Sequence, residues 1–222
     1  MKKILSTVLS AIIAMMALTS TTNAHEMFYE YESGHIGGEP YVGIPISWGI
    51  KTSGKAHLKV NATYLSGEYA TQFPIVYNAW QTACPNEVMV ELTSFSNSNV
   101  DFIVDTQAQW NSVWGENAVY VLGYAKLKST DGIYVDSLEN AKSCSGLLRY
   151  AAIHFNPQTF GYTSARHMKG TIVHEIGHVL GLGHPNTEHF VTNVPSIMRQ
   201  GEGDERYCTP QPHDITDISN KY

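Results

Sequence analysis

The stretch His174-Glu175-Ile176-Gly177-His178-Val179-Leu180-Gly181-Leu182-Gly183-His184 decides how this chain is read. His174 and His178 are four residues apart. On an α-helix that is about one turn, so both imidazoles leave the same face. Two nitrogens placed this way can reach one tetrahedral Zn2+ at roughly 2.0–2.1 Å. Glu175 stands beside the first of them and can face a water on the metal instead of the metal itself. Gly181 comes three residues after His178. A helix that must stop sharply needs a residue tolerating positive φ, and glycine has no Cβ to oppose it. The chain can then turn and bring His184 back as a third ligand. Gly183 adds freedom, and Pro185 prevents the helix from resuming. Three protein ligands leave a fourth position open, the pattern of a catalytic rather than a structural zinc.

Working outward, the helix that carries this motif is expected from Ser164 or Ala165 to Leu180, and a last helix from Pro212 to the C-terminus. Upstream, residues 57–64 are partly alternating and β-branched, a strand pattern. Apolar Ile75, Val76, Ala79 and Trp80 suit one face of a helix over residues 73–83, ended by Pro85. Strands are expected at residues 88–93, 100–104, 118–125 and 150–155. Residues 105–117 and 128–148 read as loops. The order is strand, helix, four strands, helix, long loop, helix, which is an α+β or α/β arrangement around one mixed sheet.

Composition sets the limits. The chain has 222 residues, suiting one domain with short flanks. Hydrophobic residues make up 43% and charged ones 15%, enough apolar material for a core and too little charge for a disordered chain. The formal charge is −6 with scattered Lys and Arg, so no nucleic-acid partner is expected. Lys2 and Lys3, the mostly apolar run 4–18 and the small residues Thr22-Asn23-Ala24 read as a secretory signal peptide over residues 1–24, of a bacterial kind. The mature protein is therefore expected outside the cell, without a membrane anchor, as a monomer. Residues 25–45, rich in Gly and Pro, read as an irregular lead-in or short prosegment. Cys84, Cys144 and Cys208 suggest one disulfide and one free thiol, with Cys84–Cys144 the preferred pair.

The motif HEIGHVLGLGH resembles the zinc helix of the metzincin metallopeptidases, most of all the bacterial secreted matrixin-type ones. The resemblance implies a tight turn with a methionine beneath the zinc. Met198, in Val194-Pro195-Ser196-Ile197-Met198-Arg199, lies fourteen residues beyond His184 and matches it. Its implied role is a soft apolar floor under the imidazoles. Residues 76–80 resemble the family's first helix and residues 100–104 its third strand. Pro212-His213-Asp214 resembles the start of its last helix, with Asp214 supporting the Met-turn. Residues 46–222 would then be one catalytic domain. The implied fold is zincin-like α+β: a five-stranded mixed twisted sheet, two long helices, the Met-turn and a C-terminal helix. The chain departs from the family in places. Residues 105–117 hold no His for a second, structural zinc, although His154 stands where one of its ligands would be. Pro185 and Gln200 depart from the matrixin and serralysin patterns respectively. No Cys precedes residue 46, so a cysteine switch is not expected, whereas Glu30 or Glu32 could cap the metal.

The implied chemistry is peptide hydrolysis at one catalytic Zn2+, with calcium as a further candidate ion. Glu175 would take a proton from the attacking water and pass it to the leaving amine. The peptide or protein substrate would lie extended along an edge strand, residues 119–125, and the loop 199–211 would wall the main specificity pocket. A narrow, toxin-like protease and a catalytically inactive zinc-binding module are the alternatives. Glu175 argues against the second, since a zinc store needs no carboxylate there. Trp110, Trp114, Tyr120 and Tyr124 could serve a sugar-binding face, although aromatics in strands more often line a core or groove. Asn61-Ala62-Thr63 matches a glycosylation acceptor.

Overall fold

The structure, a computed structural model, describes residues 29–31, 41–115, 121–158, 164–184, 195–199 and 207–222. In chain order the strands are β1 (Tyr29–Tyr31), β2 (Tyr41–Gly43), β3 (Ser47–Trp48), β4 (Lys51–Thr52), β5 (Lys55–Tyr64), β6 (Val88–Leu92), β7 (Val100–Val104), β8 (Gly123–Ser129) and β9 (Leu147–Phe155). The helices are α1 (Gly67–Val76), α2 (Ala79–Ala83), α3 (Gln107–Trp114), α4 (Leu138–Ser143), α5 (Ala165–Val179) and α6 (Pro212–Lys221).

Five longer strands lie side by side in the order β6-β5-β7-β9-β8. All run parallel except β8, which is antiparallel to β9 and forms an edge. Two short strands complete the sheet: β3 runs parallel to the start of β9, and β4 turns back on the start of β5. Among the described residues the sheet thus has seven strands where five were expected. Each extra strand is two residues long, too short to leave any periodicity in the sequence. β1 and β2 form a separate antiparallel pair.

One face of the sheet carries the core. Leu58, Val60, Val100, Phe102, Ala151, Ile153 and Phe155 are buried there, in cross-strand rows such as Val60–Val100–Ala151. The core continues through Phe73, Trp80, Ile172, Val173 and Ile176 from α1, α2 and α5. Each such side chain contributes about 1.5–3 kcal/mol on burial. The opposite face is polar. There Asp101 accepts hydrogen bonds from Asn61 Nδ2 (2.9 Å), Ser98 Oγ (2.6 Å) and Tyr150 Oη (2.7 Å).

Several expectations are corrected. The helix expected over 73–83 starts earlier, at Gly67, and is two helices broken at Tyr77 and Asn78. Its early turns bury Tyr69, Gln72, Phe73 and Val76, an i, i+3, i+4, i+7 face. The expected loop 105–117 contains α3, opened by a capping box between Thr106 and Gln109 and closed by Gly115 at φ 78°. The expected loop 128–148 contains α4, capped by Ser137. β8 lies later than expected, because Lys126 and Lys128 alternate with buried Leu127 and Ser129; residues 118–120 of the expected strand lie outside the described residues. All three cysteines are free, so the Cys84–Cys144 disulfide is absent. Cys84 packs in the core beside β6, while the Cys144 thiol donates to Ala141 O within its own turn. Asn61 is fully buried and bonded to Asp101, so it is no glycan acceptor. The signal peptide and most of the lead-in lie outside the described residues, as do Pro185 and Gln200. No helix among the described residues is long and apolar enough to cross a membrane.

Candidate metal centre

Helix α5 positions the first two histidines. Ser164 caps it, with its hydroxyl accepting from His167 N–H at 3.3 Å. Met168, Ile172, Val173, Ile176 and Val179 pin its apolar stripe to the core. The Trp80 indole donates to Val173 O at 2.8 Å, a hydrogen bond from α2 into the helix flank.

The helix ends as a Schellman motif. Leu182 N–H donates to Gly177 O (3.0 Å) and Gly181 N–H to His178 O (2.9 Å). Gly181 has φ +84°, as the sequence required. The structure adds a second reason for glycine there: a Cβ would lie 2.1 Å from Ile46 O. The segment leading into β3 therefore presses on the turn that returns His184. The C-terminal end of α6 holds the same region from outside. Tyr222 Oη accepts from Trp48 N–H (2.6 Å) and donates to Leu180 O (2.9 Å), and Lys221 Nζ donates to Ile46 O (2.9 Å).

His174, His178 and His184 come together, each offering a ligand nitrogen, all within 4.8 Å of one another. For the first two, hydrogen bonds fix which nitrogen is offered. His174 Nδ1 is 2.8 Å from Ile197 O, and His178 Nδ1 is 2.8 Å from Leu182 O. A carbonyl oxygen can only accept, so both Nδ1 atoms carry the hydrogen and both Nε2 atoms keep a lone pair. The Nε2 atoms of His174 and His184 are 3.1 Å apart. Burial lowers the pKa of all three; for His178 and His184 neighbouring imidazole charge adds to this, and His184 is brought down to about 3. Neutral imidazoles are the ligand form, so the cluster could hold a metal ion.

Glu175 lies beside the cluster, 4% exposed, and its Oε2 has no hydrogen-bond partner among the described residues. Burial pushes its carboxyl up to about 8. A buried carboxylate oxygen left unpaired is costly. Such an atom beside three converging imidazole nitrogens fits a site that takes a cation and a polar small molecule. The first residue of β8 approaches it from above: a Cβ on Gly123 would be 3.3 Å from Glu175 Cγ. Tyr69 is close as well, since the Glu175 charge adds to burial in raising its phenol, and its Oη donates to Leu122 O (3.1 Å) just before β8.

Below the cluster, Ser196, Ile197 and Met198 form a buried turn. Asp214, at the start of α6, accepts from Ser196 Oγ, from Ile197 N–H (3.0 Å) and from Gln211 N–H (2.7 Å). Met198 N–H donates to Ser196 Oγ (2.9 Å). Ile197 O then accepts from His174, so Asp214 holds the carbonyl that orients the first ligand. Met198 Sδ packs on the helix itself: a Cβ on Gly177 would be 2.2 Å from it and 3.0 Å from Trp80. The sequence reading named Gly181, Met198 and Asp214 but missed Gly177, Ser196, Ile46 and Tyr222. Only Gly177 left a signal, since a glycine inside a helix weakens it by about 1 kcal/mol unless close packing requires it. His57 faces Glu91 (3.0 Å) and His154 faces Asp105 (2.8 Å), both away from this cluster on the polar sheet face. Of residues 199–211, expected to wall the specificity pocket, residues 200–206 lie outside the described residues. No protein-family model matches the chain, and no curated protein matches it.

Proposed function

We propose that the chain is an exported zinc-dependent endopeptidase of metzincin kind. The observation that carries the reading is the convergence of three imidazoles on one point with an unpartnered, buried Glu175 carboxylate alongside. An all-imidazole set suits zinc. Two ligands of a tetrahedral zinc stand roughly 3.3 Å apart, close to the 3.1 Å between His174 and His184 Nε2. The mixed sheet, the turn at Met198 under α5 and the Asp214 brace support the zincin-like fold. The lysines and apolar run before residue 24 support export.

When bound, zinc supplies Lewis acidity that activates water and stabilises negative charge on a carbonyl oxygen. His174, His178 and His184 hold it, and Ile197 O and Leu182 O fix the first two rings. Glu175 Oε2 receives the proton of the attacking water and returns it to the departing amine. The open edge of β8 receives the substrate backbone. Leu127 O faces outward, since it accepts from Val135 N–H (3.0 Å). By the alternation of a strand, Gly123 and Ala125 turn their N–H and C=O the same way. Beyond Leu127 the edge is filled by residues 133–135, so among the described residues the unpaired length runs from Gly123 to Lys126. A peptide adding there as a strand has its backbone beside Glu175 at Gly123.

The test is cleavage of an unbiased peptide library, with a chelated sample and Glu175→Ala beside the wild type. Cleavage that chelation abolishes and zinc restores is the expected result. Glu175→Ala keeps the metal and loses about 10²–10⁴-fold in kcat. Stoichiometric zinc with no cleavage of any peptide would reduce the protein to a metal-binding module or to a protease for one protein only.

A further inference from the structure

The face of the sheet turned away from α1 and α5 carries four cations: Lys59 on β5, Arg149 on β9, and Lys126 and Lys128 on β8. None of them forms an ion pair with a described residue. The chain as a whole is acidic, at −6, so this gathering runs against its composition.

The strand registers bring them together. Lys128 stands opposite Tyr150. Next to Tyr150, Ala151 N–H donates to Asn99 O (2.9 Å). Asn99 in turn bonds Lys59, N–H to Lys59 O at 2.9 Å and Oδ1 from Lys59 N–H at 2.7 Å. The row Lys128, Tyr150, Asn99, Lys59 crosses four strands, about 14 Å at the usual strand spacing. Arg149 joins through a bulge. The register of β8 on β9 shifts where Lys128 faces Tyr150 and Ser129 faces Leu148, leaving Arg149 without an opposite residue. A bulge re-aims side chains; here Arg149 and Tyr150 line one cleft of about 370 Å3 together with Lys59, Asn97, Ser98 and Asn99. On β8 the ring of Tyr134 holds both lysines, Nζ of Lys126 at 4.8 Å and of Lys128 at 5.1 Å from its centroid.

Among the described residues the nearby acids are hydrogen-bonded elsewhere in the fold, and none pairs with these four cations. Asp101 accepts from Asn61, Ser98 and Tyr150, and Glu91 faces His57. Asp131 accepts from Ser129 and Ser145, and Asp136 from Asn140. The cationic face also continues the open edge. From Gly123, against Glu175, to Lys126 is three residues, about 10 Å. A peptide lying antiparallel on that edge has its C-terminal part at Glu175 and its N-terminal part towards Lys126.

We propose that this face is an exosite for an acidic polypeptide segment, so that favoured substrates carry Asp or Glu from about three residues N-terminal to the cleaved bond outward. This rests on the peptidase reading. A polypeptide is favoured over an acidic polysaccharide because the cations continue a strand edge whose free N–H and C=O groups take a peptide backbone.

The experiment uses two peptides sharing one cleavable sequence, one preceded by a run of Glu and the other by a run of Gln. At low salt kcat/KM is expected to be about tenfold higher for the Glu peptide, a difference that shrinks as salt screens it. The double variant Lys59→Glu/Arg149→Glu and the single variant Lys128→Glu each remove much of that advantage and leave the Gln peptide unchanged. Equal rates on both peptides, or a preference that survives both variants, overturn the exosite while the peptidase reading stands. No cleavage of either peptide overturns both. Retention on heparin that the Glu peptide does not compete for assigns the face to a polysaccharide and overturns the polypeptide assignment.

Discussion

Asp214 never touches the candidate metal ligands, yet one of them depends on it. Its carboxylate gathers three donors and so fixes the Ile197 carbonyl that orients His174. Burial raises its pKa, while Ser196, Gln211 and Ile197 pull it back down. Asp214→Ala leaves those donors unpaired. It is expected to lower stability by roughly 2–3 kcal/mol and zinc affinity by about 10–100-fold, read by urea denaturation and by competition with a chelating dye. Unaltered affinity in a folded variant would count against the brace. Cys84 supplies a second expectation at this scale. It is 1% exposed, and burial first, then Glu87 and Asp214, pushes its thiol up to about 12. Iodoacetamide at pH 8 is therefore expected to spare Cys84 in the native protein and to reach the half-buried Cys144 and Cys208. Peptide mass mapping checks this, and early labelling of Cys84 would contradict it.

Among the elements, the end of α5 is the most constrained. Gly181→Ala places a side chain at φ +84° and 2.1 Å from Ile46 O. The backbone strain and the clash together are expected to destabilise by about 2–4 kcal/mol. They also displace His184, so zinc content after dialysis falls as the thermal midpoint does; a variant with normal zinc content would show that the turn tolerates a Cβ. The sequence made half of this legible. Four-residue spacing and a following glycine announce a helix and its stop, because both are local. The approach of Ile46 to Gly181, or of Met198 to Gly177, joins distant parts of the chain and leaves no local pattern. α3 differs again: Thr106, Gln109 and Gly115 spell its caps in the sequence, but its polar surface and two tryptophans read as loop. β8 was misplaced because the apolar run before it outweighed the Ala-Lys-Leu-Lys-Ser alternation that pairs with β9. β3 and β4 are strands only because β9 and β5 lie beside them.

For the whole molecule, three largely desolvated imidazoles link stability to pH. An unfolded histidine titrates near 6.5, and these three have lower folded values. Between those values the unfolded chain binds more protons, so stability falls as the pH falls below about 6.5, and for His184 the loss is complete below about 3. Glu175, raised to about 8, acts oppositely: the stability it contributes in acid is lost as the pH rises through that value. Chelated protein is thus expected to be most stable near pH 6.5, roughly where the two effects cross. Zinc at a thousandfold its Kd adds about 4 kcal/mol. Urea midpoints from pH 4 to 8, with and without chelator, test both; a midpoint that keeps rising below pH 6 would rule out neutral buried histidines. The contact between Trp48 and Tyr222 spans 174 positions of the chain. Closing so long a loop is a slow, entropically costly step of folding. The Tyr222 hydroxyl also secures the carbonyl of Leu180, between the second and third histidines. The turn between the candidate ligands therefore stays unclamped in any partly folded form in which Tyr222 has not docked, and full assembly of the site waits for that long-range closure.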